Sequence, residues 1–190
     1  GKRISGWDSV TADLKESPKP AAAIIRQERL SFIDLHVLDR LPTGTLGRTL
    51  AEQCRAMQID PNLVHISAET DEEFVMAHVF ETHDIWHAVT GWGNDEEGEV
   101  GLGGFYIAQL RLPLIALMLS LVLLNTVLRK PGSLVPRIEA LTRGYEMGKA
   151  ANTLFGVDWE SLFDRPLSEI RKQFQIANRV VGEGLIAEAT

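Results

Sequence analysis

Four side chains within one short stretch of the sequence could bind a divalent metal ion together. His83, Asp84 and His87 form the pattern HDxxH, and Glu99 follows after eleven further residues. Because each residue of a helix turns by about 100°, His83 and His87 lie about 40° apart, with Asp84 about 60° from His87. The three side chains can therefore face one point. Two imidazoles and two carboxylates suit zinc, ferrous iron, cobalt or manganese, and a carboxylate-rich site also suits magnesium.

The same spacing is compatible with a solvated polar helix face, which is the commoner origin of an isolated HxxxH pattern. The metal interpretation gains from apolar Ile85 and Trp86, which could keep bulk water away from a metal centre. Spacing alone does not choose between the two. The acidic run at residues 95–97 does not match a calcium-binding loop, and we interpret it as a solvated turn.

The helix that carries the HDxxH pattern has a clear predicted start and end. Thr70 and Glu73 fit a capping box, and the intervening acidic residues suit the positive end of a helix dipole. The pattern predicts a helix from Thr70 to Thr90, ended by Gly91. A polar glycine-rich turn then leads to a helix beginning near Glu99, and an antiparallel course would bring its carboxylate back to the histidines.

The rest of the chain also favours helices, without β alternation or internal repeats. We predict helices over residues 21–38, 46–57, 99–130 with a kink near Pro113, and 136–155, then a short helix after Asp158 and another from Pro166. The expected fold class is all-α, a single-domain multi-helix bundle with a metal-binding helix pair. Residues 21–190 would form this domain, and residues 1–20 an irregular lead-in.

Composition and charge exclude several classes of protein. The 190 residues carry a net charge of −7 without a cluster of lysine and arginine, which argues against a nucleic-acid partner. Cys54 is the only cysteine, so a disulfide framework and a thiolate zinc site are both excluded, and a reducing compartment is expected. The apolar segment 112–128 has 17 uncharged residues, about 25 Å as a helix, against a hydrocarbon core of about 30 Å. This length argues against a membrane span.

The stretch HDIWHAVTGWGNDEEGE at residues 83–99 resembles the metal motif of the coenzyme Q (ubiquinone) biosynthesis protein 4 family. The resemblance extends upstream through DEEFVMAHVFETHD and downstream through GEVGLGGFYIAQLRLP, and it returns in GYEMGKAANTLFGVDWESLFDRPLSEIRKQF. Together these segments cover about half of the chain. Tyr106 departs from the pattern, because some members carry an acidic residue there, and this leaves the substrate preference open.

This resemblance implies a helical protein of quinone biosynthesis that handles prenylated ring intermediates. It maps the family's metal motif onto His83, Asp84, His87 and Glu99, with zinc as the first expectation for the metal. Members are associated with removal of the ring carboxylate at C1 coupled to hydroxylation, and also with a scaffolding role, so whether the chain is an enzyme stays open. The implied partners are other enzymes of the pathway and a membrane surface, with a homodimer as a further alternative.

The resemblance also suggests where the protein acts and what it binds. It implies a cytoplasmic protein peripheral to a membrane, which would be the inner mitochondrial membrane in a eukaryote. The ligand would be a prenylated quinone precursor or a prenyl phosphate lipid. An isoprenoid tail needs an apolar channel, and the segment 112–128 is the candidate for its wall, with plain core packing as the alternative. No catalytic residue is assigned.

Two rival functions use the same residues differently. A prenyl-lipid-binding scaffold without catalysis would use the metal only to join two helices. A phosphohydrolase with a histidine–aspartate doublet would use His83 and Asp84, but it needs an upstream histidine, His65 or His78, and a distant aspartate such as Asp158. That arrangement would leave Glu99 without a role. His36 lies in no comparable set of side chains.

Overall fold

The computed structural model describes residues 7–64 and 66–177, and every regular element in that part of the chain is helical. The α-helices are α1 Trp7–Lys15, α2 Pro18–Arg26, α3 Leu35–Leu38, α4 Leu46–Met57, α5 Asp71–Glu81, α6 His83–Thr90, α7 Glu96–Leu110, α8 Pro113–Arg129, α9 Leu134–Ala150 and α10 Leu167–Gln173. Short 3-10 turns lie at Pro131–Ser133 and Glu160–Leu162. The all-α prediction is confirmed.

The N-terminal region differs from the expectation of an irregular lead-in over residues 1–20. Within the described part of that region, α1 buries Trp7, Val10 and Leu14, one apolar face at helical spacing. α2 begins inside the region at Pro18, because proline is tolerated in the first turn of a helix. α1 was not predicted from the sequence, because its apolar residues span only two helical turns between a glycine and a proline.

The single helix predicted over residues 21–38 is wrong in its second half. α2 ends at Gln27, which adopts a left-handed φ of 49°. In the segment after α2, hydrogen bonds that involve side chains replace the backbone hydrogen bonds of a helix. The Arg29 guanidinium donates to the carbonyl of Ile66 at 2.7 Å, and the amide of Ile33 donates to Asn62 Oδ1 at 2.8 Å. These long-range contacts satisfy the backbone and outweigh the local helical pattern.

The predicted start of the metal-motif helix is confirmed, and its predicted length is not. Thr70 Oγ1 accepts from the amide of Glu73 at 3.2 Å, and the Glu73 carboxylate accepts from the amide of Thr70 at 3.2 Å. The helix is interrupted at Thr82, so α5 and α6 replace one continuous helix. Gly91 ends α6 in the left-handed region, with φ 76°.

The segment predicted as one kinked helix over residues 99–130 forms two helices. α7 begins three residues earlier than predicted, because Asp95 Oδ1 accepts from the amide of Gly98 at 2.6 Å and caps the helix. α7 ends at Arg111, with φ 51°, and Pro113 opens α8. The proline and the left-handed residue before it break the helix completely.

α7 packs backbone to backbone against α9, because glycines line their contact. A Cβ atom added to Gly144 would lie 1.8 Å from the carbonyl oxygen of Gly101, and one added to Gly104 would lie 2.4 Å from that of Leu141. This packing fixes α7, which carries Glu99. Within the described residues, each helix is too short or too polar to cross a lipid bilayer.

Candidate metal centre

The structure brings three of the four predicted ligands together. α6 carries His83 and His87 one turn apart, and the first turn of α7 carries Glu99. His83 Nε2 lies 3.1 Å from His87 Nε2, and the Glu99 carboxylate oxygens lie 3.3 Å from His87 Nε2 and 3.8 Å from His83 Nε2. In the described residues this is the one cluster of three or more histidine, cysteine or acidic side chains with metal-site spacing.

The opposite ring nitrogens of both histidines face oxygen atoms. His87 Nδ1 lies 2.9 Å from the carbonyl oxygen of Trp92, which can only accept, so Nδ1 carries the proton and Nε2 presents a lone pair. His83 Nδ1 lies 3.2 Å from the hydroxyl of Tyr106. Contacts of this kind fix the tautomer and the ring orientation of histidines that ligate metals.

Electrostatics favours a cation at this point. Burial first, and the neighbouring His87 second, lower the pKa of His83, which favours the neutral imidazole that metals bind. Burial acts to raise the pKa of Glu99, but a hydrogen bond from protonated His87 and the charges of protonated His87 and His83 outweigh this and lower the pKa. A metal ion would supply the same positive charge to Glu99 while both imidazoles stay neutral. A single proton can be shared by only two of the three atoms His83 Nε2, His87 Nε2 and Glu99 Oε, whereas one metal ion can bind all three.

The distances fit a tetrahedral ion of the zinc type. Ligand bonds of about 2.0–2.2 Å at tetrahedral angles place neighbouring ligand atoms about 3.3 Å apart. The three separations of 3.1, 3.3 and 3.8 Å scatter around this value. The ligand atoms of His83, His87 and Glu99 all lie within 4.8 Å of one another, and Asp84 is not part of this set. Asp84 lines the same cavity as His83 and Glu99. Its role as a fourth ligand stays a prediction.

Tyr106 is the residue that holds His83 in place. Its ring is stacked against both neighbours, with ring centroids 5.9 Å from His83 and 4.5 Å from Trp86. Burial, and then the charges of Asp84 and Glu99, raise the pKa of Tyr106 well above its ordinary value, so the phenol is neutral. The sequence had marked Tyr106 only as a departure from the family pattern.

A cavity of about 730 Å³ extends from the metal-ligand cluster along α8. This volume is within the range of small-molecule sites, about 300–1,000 Å³. His83, Asp84, Glu99 and Tyr106 lie at its polar part. The predicted segment 112–128 supplies most of one wall, through Leu112, Leu114, Ile115, Met118, Leu119, Leu121, Val122 and Asn125.

The remaining histidines lie elsewhere. His78 is buried in α5, where its Nε2 accepts from the amide of Gly156 at 3.2 Å, and burial lowers its pKa to about 4. It lines a separate cavity of about 50 Å³ together with Asp158. His36 is exposed, and His65 lies outside the described residues. The arrangement needed by a histidine–aspartate phosphohydrolase is therefore not formed by His78 and Asp158.

Comparison with known proteins identifies the family of this chain. The profile of the family described as Coenzyme Q (ubiquinone) biosynthesis protein Coq4 matches residues 8–179. The chain belongs to this family. The match includes both helices of the ligand cluster and the whole wall formed by α8.

Relatives from fungi and mammals share this membership. The chain is 30% identical over 148 residues to the mitochondrial ubiquinone biosynthesis protein coq4 of Sclerotinia sclerotiorum, covering 76% of this chain and 51% of that protein. It is 28% identical over 165 residues to the mitochondrial COQ4 homolog of Rattus norvegicus, covering 83% and 62%. The chain thus spans about half to three-fifths of the length of these relatives.

A solved structure also has this fold. The crystal structure of a candidate ubiquinone biosynthesis protein from Nostoc punctiforme PCC 73102 superposes with a TM-score of 0.84 at 26% identity. The alignment covers 90% of this chain and 82% of the Nostoc chain. The family fold is thus shared with a cyanobacterial protein.

Proposed function

We propose that this protein acts in ubiquinone biosynthesis by binding a prenylated hydroxybenzoate-type intermediate at a divalent metal ion. His83, His87 and Glu99 would hold the ion, with Asp84 as the fourth ligand and zinc as the first expectation. Iron, cobalt, manganese and magnesium are the alternatives. One observation carries the proposal: three ligand atoms converge, and two of their residues, His83 and Glu99, line a cavity whose walls are largely apolar.

The cavity matches the chemistry of such a ligand. An isoprenoid tail is apolar throughout, and the leucine-rich wall of α8 would remove it from water at about 25 cal/mol per Å² of buried apolar surface. The ring would lie at the opposite, polar part, beside His83 and Tyr106. Closure of the apolar walls around the ring would also strengthen electrostatic interactions there.

The proposed reaction is loss of the C1 carboxylate as carbon dioxide coupled to hydroxylation at C1. Atoms and electrons balance with one molecule of O2. One of its oxygen atoms becomes the new substituent at C1 and the other is reduced to water, so a 4-hydroxybenzoate ring becomes a quinone. A bound metal would supply Lewis-acid polarisation of a ring oxygen. Ile85 and Trp86, both buried in α6, pack beside the ligands and limit access of water.

The test joins metal content to turnover. Purified protein is analysed for bound metal and then incubated, with and without oxygen, with 3-geranyl-4-hydroxybenzoate, following carbon dioxide and quinone. We expect His87→Ala and Glu99→Gln to lose at least tenfold in metal affinity and turnover. Asp84→Asn tests the fourth ligand, and exposed His36→Ala is the matched control that changes neither.

The outcomes separate the alternatives. Retention of both metal and turnover by His87→Ala and Glu99→Gln would overturn the metal site. Binding of metal and prenylated ring without any release of carbon dioxide would leave a non-catalytic scaffold that organises other quinone-biosynthesis enzymes. Glu99→Gln carries this comparison if His87→Ala does not fold, because the Glu99 side chain is 47% exposed and the change removes little packing.

A further inference from the structure

Arg137 is a buried guanidinium that the metal site does not use. It lies on α9, its side chain is 3% exposed, and it lines the same cavity as the metal ligands. Its Nη2 group donates to the Glu96 carboxylate of α7, and its Nη1 group donates to Thr126 Oγ1 of α8. Burying a charge of this kind is costly unless its partners are complete, so its position in a cavity wall needs an explanation.

The partners of Arg137 are incomplete. Its Nε atom is buried and has no hydrogen-bond partner among the described residues. A guanidinium offers five N–H donors in a rigid fork, and it binds the paired oxygens of a carboxylate or a phosphate well. Buried donors without partners are rare in native proteins, and each needs an explanation, such as a bound water or ion.

Arg137 shares its one carboxylate partner with a second cation. Glu96 also accepts from Lys130 Nζ at 2.7 Å, so one carboxylate is shared by two cations. Because the Glu96 side chain is 60% exposed, it is also partly neutralised by solvent. Among the described residues, Arg137 is the only lysine or arginine that lines the cavity, and the acidic side chains in the lining are Asp60, Asp84, Glu96 and Glu99.

Arg137 is linked to the metal-ligand cluster through α7. Its partner Glu96 and the ligand Glu99 are three residues apart in α7, and such residues are neighbours on one helix face, with about 5–6 Å between their Cβ atoms. One aromatic ring is wide enough to bridge two points at this separation. A ring that contacts the metal through one substituent could therefore reach Arg137 with another.

We propose that Arg137 is an oxyanion-recognition residue, which binds a carboxylate or phosphate on the head group of the prenylated ligand. This inference rests on the proposed function, because it assumes that the cavity holds such a ligand. The N–H groups that Glu96 and Thr126 leave unused donate to the oxyanion, while these two partners hold the plane of the guanidinium. Because Asp84 and Glu99 are the proposed metal ligands, an oxyanion on Arg137 and a second ring substituent at the metal would together orient the ring.

Selectivity among three matched ligands tests the inference. Protein as purified, with its metal content measured, is titrated with 3-geranyl-4-hydroxybenzoate, with geranyl phosphate and with the neutral 2-geranylphenol, using intrinsic tryptophan fluorescence. We expect the wild type to bind at least one anionic ligand about tenfold or more tightly than the phenol, as a charged hydrogen bond allows. Arg137→Gln should abolish this preference and leave affinity for the phenol within about threefold. Comparing the affinities for 3-geranyl-4-hydroxybenzoate and geranyl phosphate shows whether Arg137 recognises a ring carboxylate or a prenyl phosphate.

Two further variants separate recognition from packing. Thr126→Val removes one partner of Arg137 but keeps the guanidinium, so the preference for an anion should remain. Arg137→Lys keeps the charge but not the fork, and its preference should lie between those of the wild type and Arg137→Gln. Equal losses for all three ligands in Arg137→Gln, with an unchanged circular dichroism spectrum, would overturn the inference.

The wild type alone also decides two outcomes, even if Arg137→Gln does not fold. Equal affinity of the wild type for the phenol and both anions would overturn the oxyanion site but leave the proposed function intact. Absence of binding to all three prenylated compounds would contradict the proposed function itself. Unchanged metal content in Arg137→Gln would show that any altered preference does not arise from a damaged metal site.

Discussion

The hydroxyl of Tyr106 controls one ligand of the proposed metal site without touching the metal. It lies 3.2 Å from His83 Nδ1, and its ring is stacked between His83 and Trp86. If Nδ1 donates its proton to this oxygen, Nε2 is left with its lone pair toward the metal. Tyr106→Phe keeps the stacked ring and removes only the hydroxyl, so it isolates this contact.

We expect Tyr106→Phe to weaken zinc binding about tenfold, the lower end of the effect of such supporting contacts. Competition with a chromophoric chelator measures the affinity. Tyr145→Phe is the matched control, because Tyr145 is the only other tyrosine and its exposed ring contacts Lys149 instead of a histidine. Equal zinc affinities of Tyr106→Phe and the wild type would show that His83 is oriented by packing alone.

The convergence of His83, His87 and Glu99 was better predicted than the helices that carry these residues. HDxxH and the distant glutamate depend on helical periodicity and one turn, which are local properties that a sequence displays directly. The contacts of His87 with the Trp92 carbonyl and of Arg137 with Glu96 and Thr126 depend on how the chain returns on itself. No residue spacing records such a return.

Helix ends show the same division between local and long-range causes. The capping box at Thr70 and the glycine stop at Gly91 were predicted, because both use neighbouring residues only. The helix predicted through residue 38 failed, because Arg29 and Asn62 bind partners far along the sequence. Tertiary contacts outweigh helix propensity where they satisfy the backbone.

The contact between α7 and α9 gives a stability prediction at the scale of elements. In a free helix, replacing glycine by alanine is favourable by about 1 kcal/mol. At Gly144 the added Cβ would lie 1.8 Å from the Gly101 carbonyl oxygen, so the two helices must separate. We expect Gly144→Ala to lower the free energy of unfolding by about 2–3 kcal/mol, as overpacking of a close contact does.

Urea denaturation measures this loss, and Gly132→Ala is its control. Gly132 lies in the turn Pro131–Ser133, and a Cβ atom there would meet nothing within 4 Å. Its change should stay within about 0.5 kcal/mol. Since α7 carries Glu99, Gly144→Ala should also weaken metal binding. A stabilised Gly144→Ala protein would mean that α7 and α9 are not in backbone contact.

At the scale of the whole molecule, one side of α8 lines the cavity and another is exposed. Leu117, Leu124 and Leu128 recur at helical spacing and are 55–72% exposed. An exposed apolar row of this kind commonly marks a contact with a membrane or another protein. A lipid surface beside the cavity would also give a prenyl tail a short route into it, so we expect this side to face a membrane.

The overall charge decides what kind of membrane binding to expect. With a net charge of −7, the protein would be repelled by anionic lipids, so apolar contact must supply the affinity. We therefore predict binding to zwitterionic phosphatidylcholine vesicles that changes little between 0.05 and 0.5 M salt. Burial of a leucine side chain contributes about 1.5–3 kcal/mol, so the double change Leu117→Glu and Leu124→Glu should weaken binding at least tenfold.

Vesicle flotation measures the binding, and Thr142→Glu is the control, because it adds a charge at an exposed polar position of α9. This variant should float with the vesicles as the wild type does. Strong weakening by salt would show that charge drives the association instead. A wild type that forms dimers in light scattering and does not float would show that the α8 leucines pair two copies, which is the other arrangement that removes this row from water.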